Sequence, residues 1–123
     1  MTFEILALIT TGAGTLLGLG FLFAGRFMLK QWGLDATDAS LVMCRRMGAV
    51  YLGIALLFFL GRSAGPSELR SAVCAGLGIA IGLLACLGLF ELMSKRVSKG
   101  ILVSTVVETL LSTSFFWVLW GQR

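Results

Sequence analysis

Glu108 is the side chain with the clearest capacity for chemistry. It lies in the apolar run Ile101–Trp120, and no other charged residue occurs from Gly100 to Gln122. An ionisable group at the centre of a membrane helix costs about 2.5–3.5 kcal/mol on insertion scales, so this carboxyl is expected to face protein rather than lipid. Ser104 and Ser112 stand one helical repeat to either side, with Thr105 and Thr109 beside them, and together they make one face of the helix polar. Two uses of the carboxyl follow. Arg46, at the start of an earlier apolar run, can reach it as a counter-ion with Tyr51 as a third member; such a pair fixes helix register more than it adds stability. Alternatively, Glu108 takes up a proton or cation during transport. The availability of Arg46 puts the structural use first.

The remaining ionisable groups are less specific. Glu91 falls near the end of its apolar run among Arg45, Arg46, Lys95 and Arg96, and an interfacial ion pair between Glu91 and Arg45 is expected. Histidine is absent, which removes the commonest proton shuttle and metal ligand. Cys74 and Cys86, twelve residues apart on one helix, would be separated by about 18 Å, too far for a disulfide. With Cys44 they read as small apolar packing residues. Met28, Met43, Met47 and Met93 are scattered and also read as packing. No metal site and no cofactor are expected. Paired carboxylates, a nucleophile with a visible base and a phosphate-binding loop are all missing, so no enzyme is expected either. The net charge is +4, but the cations sit in small groups beside apolar runs, where anionic headgroups attract them. No basic stripe with interleaved aromatics exists, so lipid rather than nucleic acid is the expected partner.

These residues must be positioned by helices. Hydrophobic residues make up 58% of the 123 positions and charged residues 13%, against about 45–50% and 25% in soluble domains. Ser71–Phe90 runs without a charge for the ~20 residues that a membrane helix needs. Three more apolar stretches share the chain, far too many for the interior of so short a soluble protein. The expectation is an all-α polytopic membrane protein: one up-down-up-down four-helix transmembrane bundle over residues 1–123, with spans at about 4–28, 41–61, 71–93 and 101–120. The leading Met-Thr-Phe-Glu has no cation, so a cleavable signal peptide is not expected. Asp35, Thr37 or Asp38 can cap the second long helix, and Ser67 the third. Gly14 and Gly18 form one GxxxG, and Gly78 and Gly82 a second; such faces let helices approach closely, within the bundle or between copies. Phe58-Phe59 and Phe115-Phe116-Trp117 are expected in an interfacial aromatic belt.

Cations set the expected orientation. Arg26, Lys30, Arg45, Arg46, Lys95, Arg96 and Lys99 flank one end of the spans, and Arg62, Arg70 and Arg123 the other. The positive-inside bias then places both termini outside.

Phe21-Leu-Phe through Trp32-Gly-Leu, followed by Arg45-Arg-Met-Gly-Ala-Val-Tyr-Leu-Gly through Arg62, resembles a family of small uncharacterised bacterial four-span membrane proteins. The resemblance implies a bacterial inner-membrane setting and four helices, and no activity. A proline expected near Gly25 is missing. The function expected first is a non-enzymatic membrane module that packs with itself or with a membrane partner through its glycine faces. A small transporter or channel subunit using Glu108 is the alternative.

Overall fold

The computed structural model describes residues 2–121. The chain forms α1 (Phe3–Phe23), α2 (Gly25–Gln31), α3 (Asp38–Leu60), α4 (Glu68–Met93) and α5 (Ile101–Gly121). All but α2 are long and apolar enough to cross a bilayer; at 1.5 Å per residue, about 20 residues span its ~30 Å core. The protein is a multi-pass membrane protein built as an all-α four-helix bundle.

Local signals set the helix starts. The Thr2 hydroxyl accepts from the Ile5 amide at 3.3 Å. Thr37 caps α3 and Ser40 returns a bond to the Thr37 amide, a reciprocal capping box. The Ser67 hydroxyl accepts from the Arg70 amide and starts α4. Each cap satisfies a donor that a first helical turn leaves open.

The bundle consists of two antiparallel hairpins. In the first, α1 lies against α3, and in the second α4 lies against α5. Glycine decides how close each pair comes. A Cβ added at Gly14 would sit 3.1 Å from the Tyr51 carbonyl oxygen, and one at Gly48 only 2.7 Å from that of Gly18. In the second hairpin, an added Cβ at Gly78 would meet the Phe116 ring at 3.1 Å and one at Gly82 the Ser112 hydroxyl at 3.1 Å. The pattern Gly-x-Gly-x-x-x-Gly-Leu thus occurs twice, at 12–19 on α1 and 76–83 on α4, and does the same job in both hairpins.

The hairpins join near both ends. At the end carrying the termini, Phe3, Leu6, Ala7, Phe58, Cys74, Phe115 and Val118 form one buried cluster. At the opposite, basic end, the Ser98 amide donates to the Trp32 carbonyl at 2.7 Å and the Ser98 hydroxyl to the Gln31 carbonyl at 2.9 Å.

Two expectations need correction. The first apolar run does not continue as one helix to residue 28: Ala24 leaves helical geometry (φ −129°, ψ 38°) and α2 follows. Eleven residues of straight helix would carry Trp32 about 16 Å from Phe21; the break instead brings their rings to 6.1 Å, edge to face. Leu29 is thereby buried with Phe21 and Cys44, while Arg26 and Lys30 stay exposed. The aromatic pairs also divide. Phe58 and Phe115 are buried in the core, and Phe59, Phe116, Trp117 and Trp120 face outward. Adjacent residues on a helix point about 100° apart, so a doublet cannot lie wholly in a belt.

Candidate functional site

Glu108 lies seven residues into α5, about 10 Å from the basic end. It is half-buried, and Ser104, one turn earlier, donates its hydroxyl to Glu108 Oε1 at 2.6 Å. The second carboxyl oxygen, Oε2, is buried with no hydrogen-bond partner among the described residues.

Glu108 is placed by α5, which packs along α4, touches α1, and meets α3, running in the same direction, through an aromatic pair. Phe58 of α3 and Phe115 of α5 meet with ring centroids 5.5 Å apart, near the terminal end. Seven residues earlier on each helix stand Tyr51 and Glu108. Seven residues are two turns, so both pairs lie on the same faces, about 10 Å apart along the axis. Tyr51 and Glu108 therefore stand at one level of α3 and α5. Tyr51 is itself fixed by stacking on Phe21, at 5.8 Å with 12° between the planes. Ile54 and Leu111 pack against the apolar cluster between the two levels.

Arg46 does not join the site. It is exposed and forms no ion pair with Glu108. Five residues of helix turn it about 140° from Tyr51, so α3 cannot present both to the same neighbour. Ser112 also leaves the expected group. It is buried against α4, donating its hydroxyl to the Gly78 carbonyl at 2.8 Å. On α5, Thr105 and Ser112 lie against Gly88 and Gly78 of α4, while Ser104 and Glu108 bond to each other.

The expected Glu91–Arg45 pair is replaced by Glu91–Arg96. α4 packs on α5 rather than α3, and Arg96 is five residues along the same chain. Arg45 instead lines a cleft of about 320 Å³ beside Arg26 at the α1–α2 break.

Among the described residues no cluster of His, Cys, Asp and Glu is arranged to hold a metal. Cys44 and Cys74 are buried and Cys86 is exposed. The interhelical role of Thr11 was not foreseen: its hydroxyl donates to the Ala7 carbonyl at 2.8 Å and lies 3.3 Å from that of Ala55 on α3. Thr10, its buried neighbour, was also passed over. Their adjacency in an apolar run was the available signal. No family model matches the chain, and no curated protein or solved structure is significantly similar to it.

Proposed function

We propose that this chain is a small, non-enzymatic transporter or channel subunit in which Glu108 handles a proton or monovalent cation. The observation that carries this reading is the carboxyl itself: it lies within a membrane span, it is bonded by a serine of its own helix, and among the described residues no cation pairs with it. A counter-ion would have made the residue a structural fixture; Arg46 is turned elsewhere. Ionisable groups retained inside a membrane are costly, and ion or proton pathways are their usual setting.

A setting in a bacterial inner membrane, with both termini outside, belongs to the same proposal. It is supported by the cation asymmetry and by the resemblance of residues 21–62 to the small four-span family.

The packing-module reading retains one specific support. Added Cβ atoms at Gly12, Gly53 and Gly76 would meet nothing within 4 Å, so these glycines stand on outward faces open to a second copy or a membrane partner. Gly14, Gly18, Gly78 and Gly82, which first suggested such a partner, already face neighbours within the chain.

The test is Glu108→Gln in vesicles of defined lipid with an imposed proton or cation gradient. Transport predicts a flux in the native protein that falls to the level of empty vesicles in the variant, with the melting profile in detergent retained. A native protein that moves neither ion would refute the proposal.

A further inference from the structure

We infer that the seam between α3 and α5 at Tyr51, Ser104 and Glu108 is a proton-binding site rather than a metal-cation site. The inference rests on the transport reading and narrows its ligand.

Oxygen supply argues first. Hard cations such as Ca²⁺ and Mg²⁺ are satisfied by six or more oxygens, and transporters that bind Na⁺ in mid-membrane recruit carbonyls from unwound helices. Here Glu108 has its own carboxyl, the Ser104 hydroxyl bonded to it and Tyr51 at its level on α3; the buried Thr105 hydroxyl lies against Gly88 of α4. Both α3 and α5 are continuous helices through this level, so their carbonyls are engaged in the helical ladder. The one break in a span, at Ala24, opens beside Leu41 and Cys44 toward the basic end.

The second argument is the carboxyl's own bonding. Ser104 satisfies Oε1, and Oε2 is buried and bare. A charged oxygen in that position is expensive to bury. A proton on the carboxylate gives the neutral acid and removes that cost without any further ligand.

The third is the surroundings. Tyr51 stands at the level of the carboxyl on α3, two turns before Phe58. Arg45 and Arg46 on α3 and Arg26 and Lys30 on α2 are exposed toward the basic end, and the remaining charged groups stand near helix ends, Glu4 on α1 and Glu68, Arg70 and Glu91 on α4. None is placed to neutralise Glu108 in place of a proton. Toward the terminal end, the cluster around Phe3, Leu6, Phe58 and Phe115 closes the seam with apolar side chains.

The experiment uses dicyclohexylcarbodiimide on the full chain in lipid bicelles. The reagent adds to a protonated carboxyl in apolar surroundings, and acyl migration leaves an N-acylurea that keeps every atom of the reagent, read by peptide mass. The expected result is an adduct on Glu108, absent in Glu108→Gln, with a rate unchanged when sodium replaces choline in the buffer. In the exchanged variant Tyr51→Glu with Glu108→Tyr, the adduct should move to position 51. Protection by sodium would overturn the proton assignment while leaving transport intact. An unlabelled Glu108 in folded native protein would overturn it as well. If the exchanged chain does not fold, the sodium comparison still decides. Sodium-independent labelling in a protein without flux would uphold the site and reject transport.

Discussion

Replacing Gly48 by alanine should separate the α1–α3 hairpin, and Gly53 on the same helix supplies the control. A Cβ at Gly48 would stand 2.7 Å from the Gly18 carbonyl oxygen and 2.9 Å from both Cγ and the amide nitrogen of Leu22. Two of these atoms are backbone and cannot swing aside, so α1 as a whole must move outward. At Gly53 the same atom would meet nothing within 4 Å. Both positions gain the intrinsic preference of alanine over glycine in a helix, about 1 kcal/mol. Overpacking a tight contact costs about 1–3 kcal/mol. Gly53→Ala should therefore be stabilising by up to ~1 kcal/mol, and Gly48→Ala should lie about 1–3 kcal/mol below it. Because the propensity gain is common to both, the difference isolates the packing term. Reversible unfolding in mixed micelles, titrated with a denaturing detergent, measures it. Equal midpoints for the two variants would refute the close approach of Gly18 and Gly48, and with it the placement of Tyr51 over Phe21.

Three further outcomes test other contacts. Ser112→Ala removes the hydroxyl that bonds the Gly78 carbonyl across α4 and α5; interhelical bonds of this kind average about 0.6 kcal/mol in membranes, so unfolding should shift by roughly that amount. Gly33 has φ 72°, and an added Cβ would lie 3.0 Å from that of Ser98; Gly33→Ala should cost ~1–2 kcal/mol from the left-handed backbone alone and loosen the clasp between the hairpins, read as faster proteolysis of the α4–α5 loop. Glu91→Gln removes the Arg96 pair, whose side chains are 35% and 55% exposed. The cost should stay within about 1 kcal/mol and shrink with added salt.

The architecture was legible because apolar length is a one-dimensional signal. Four runs long enough to span a bilayer stand out whatever their neighbours do, and Thr37 and Ser67 announce their helices by local bonds. The break at Ala24 was not legible: alanine favours helix, and no proline marks the site. What bends the chain there is burial of Leu29 and the Phe21–Trp32 contact, both tertiary. The site was half legible. Depth singled out Glu108, and spacing gave its bond to Ser104, since a residue one turn away on the same helix is always within reach.

Partners on other helices depended on knowledge that spacing along one helix does not contain. Depth in the membrane brings Arg46 within reach of Glu108, but depth takes no account of where a helix points. Once Phe58 is seen to meet Phe115, the periodicity of α3 admits Tyr51 to the seam and turns Arg46 away. Ser112 stands only about 40° around α5 from Glu108, yet its hydroxyl is taken by the Gly78 carbonyl of α4. Glu108 Oε2 is left bare. Were that serine not tied to α4, its hydroxyl could satisfy the oxygen. As it is, Ser112 ties α4 to α5 while Glu108, in the reading proposed above, stands at the joint between the two hairpins. At that joint, adding or removing a proton changes the charge shared by two otherwise separately packed halves.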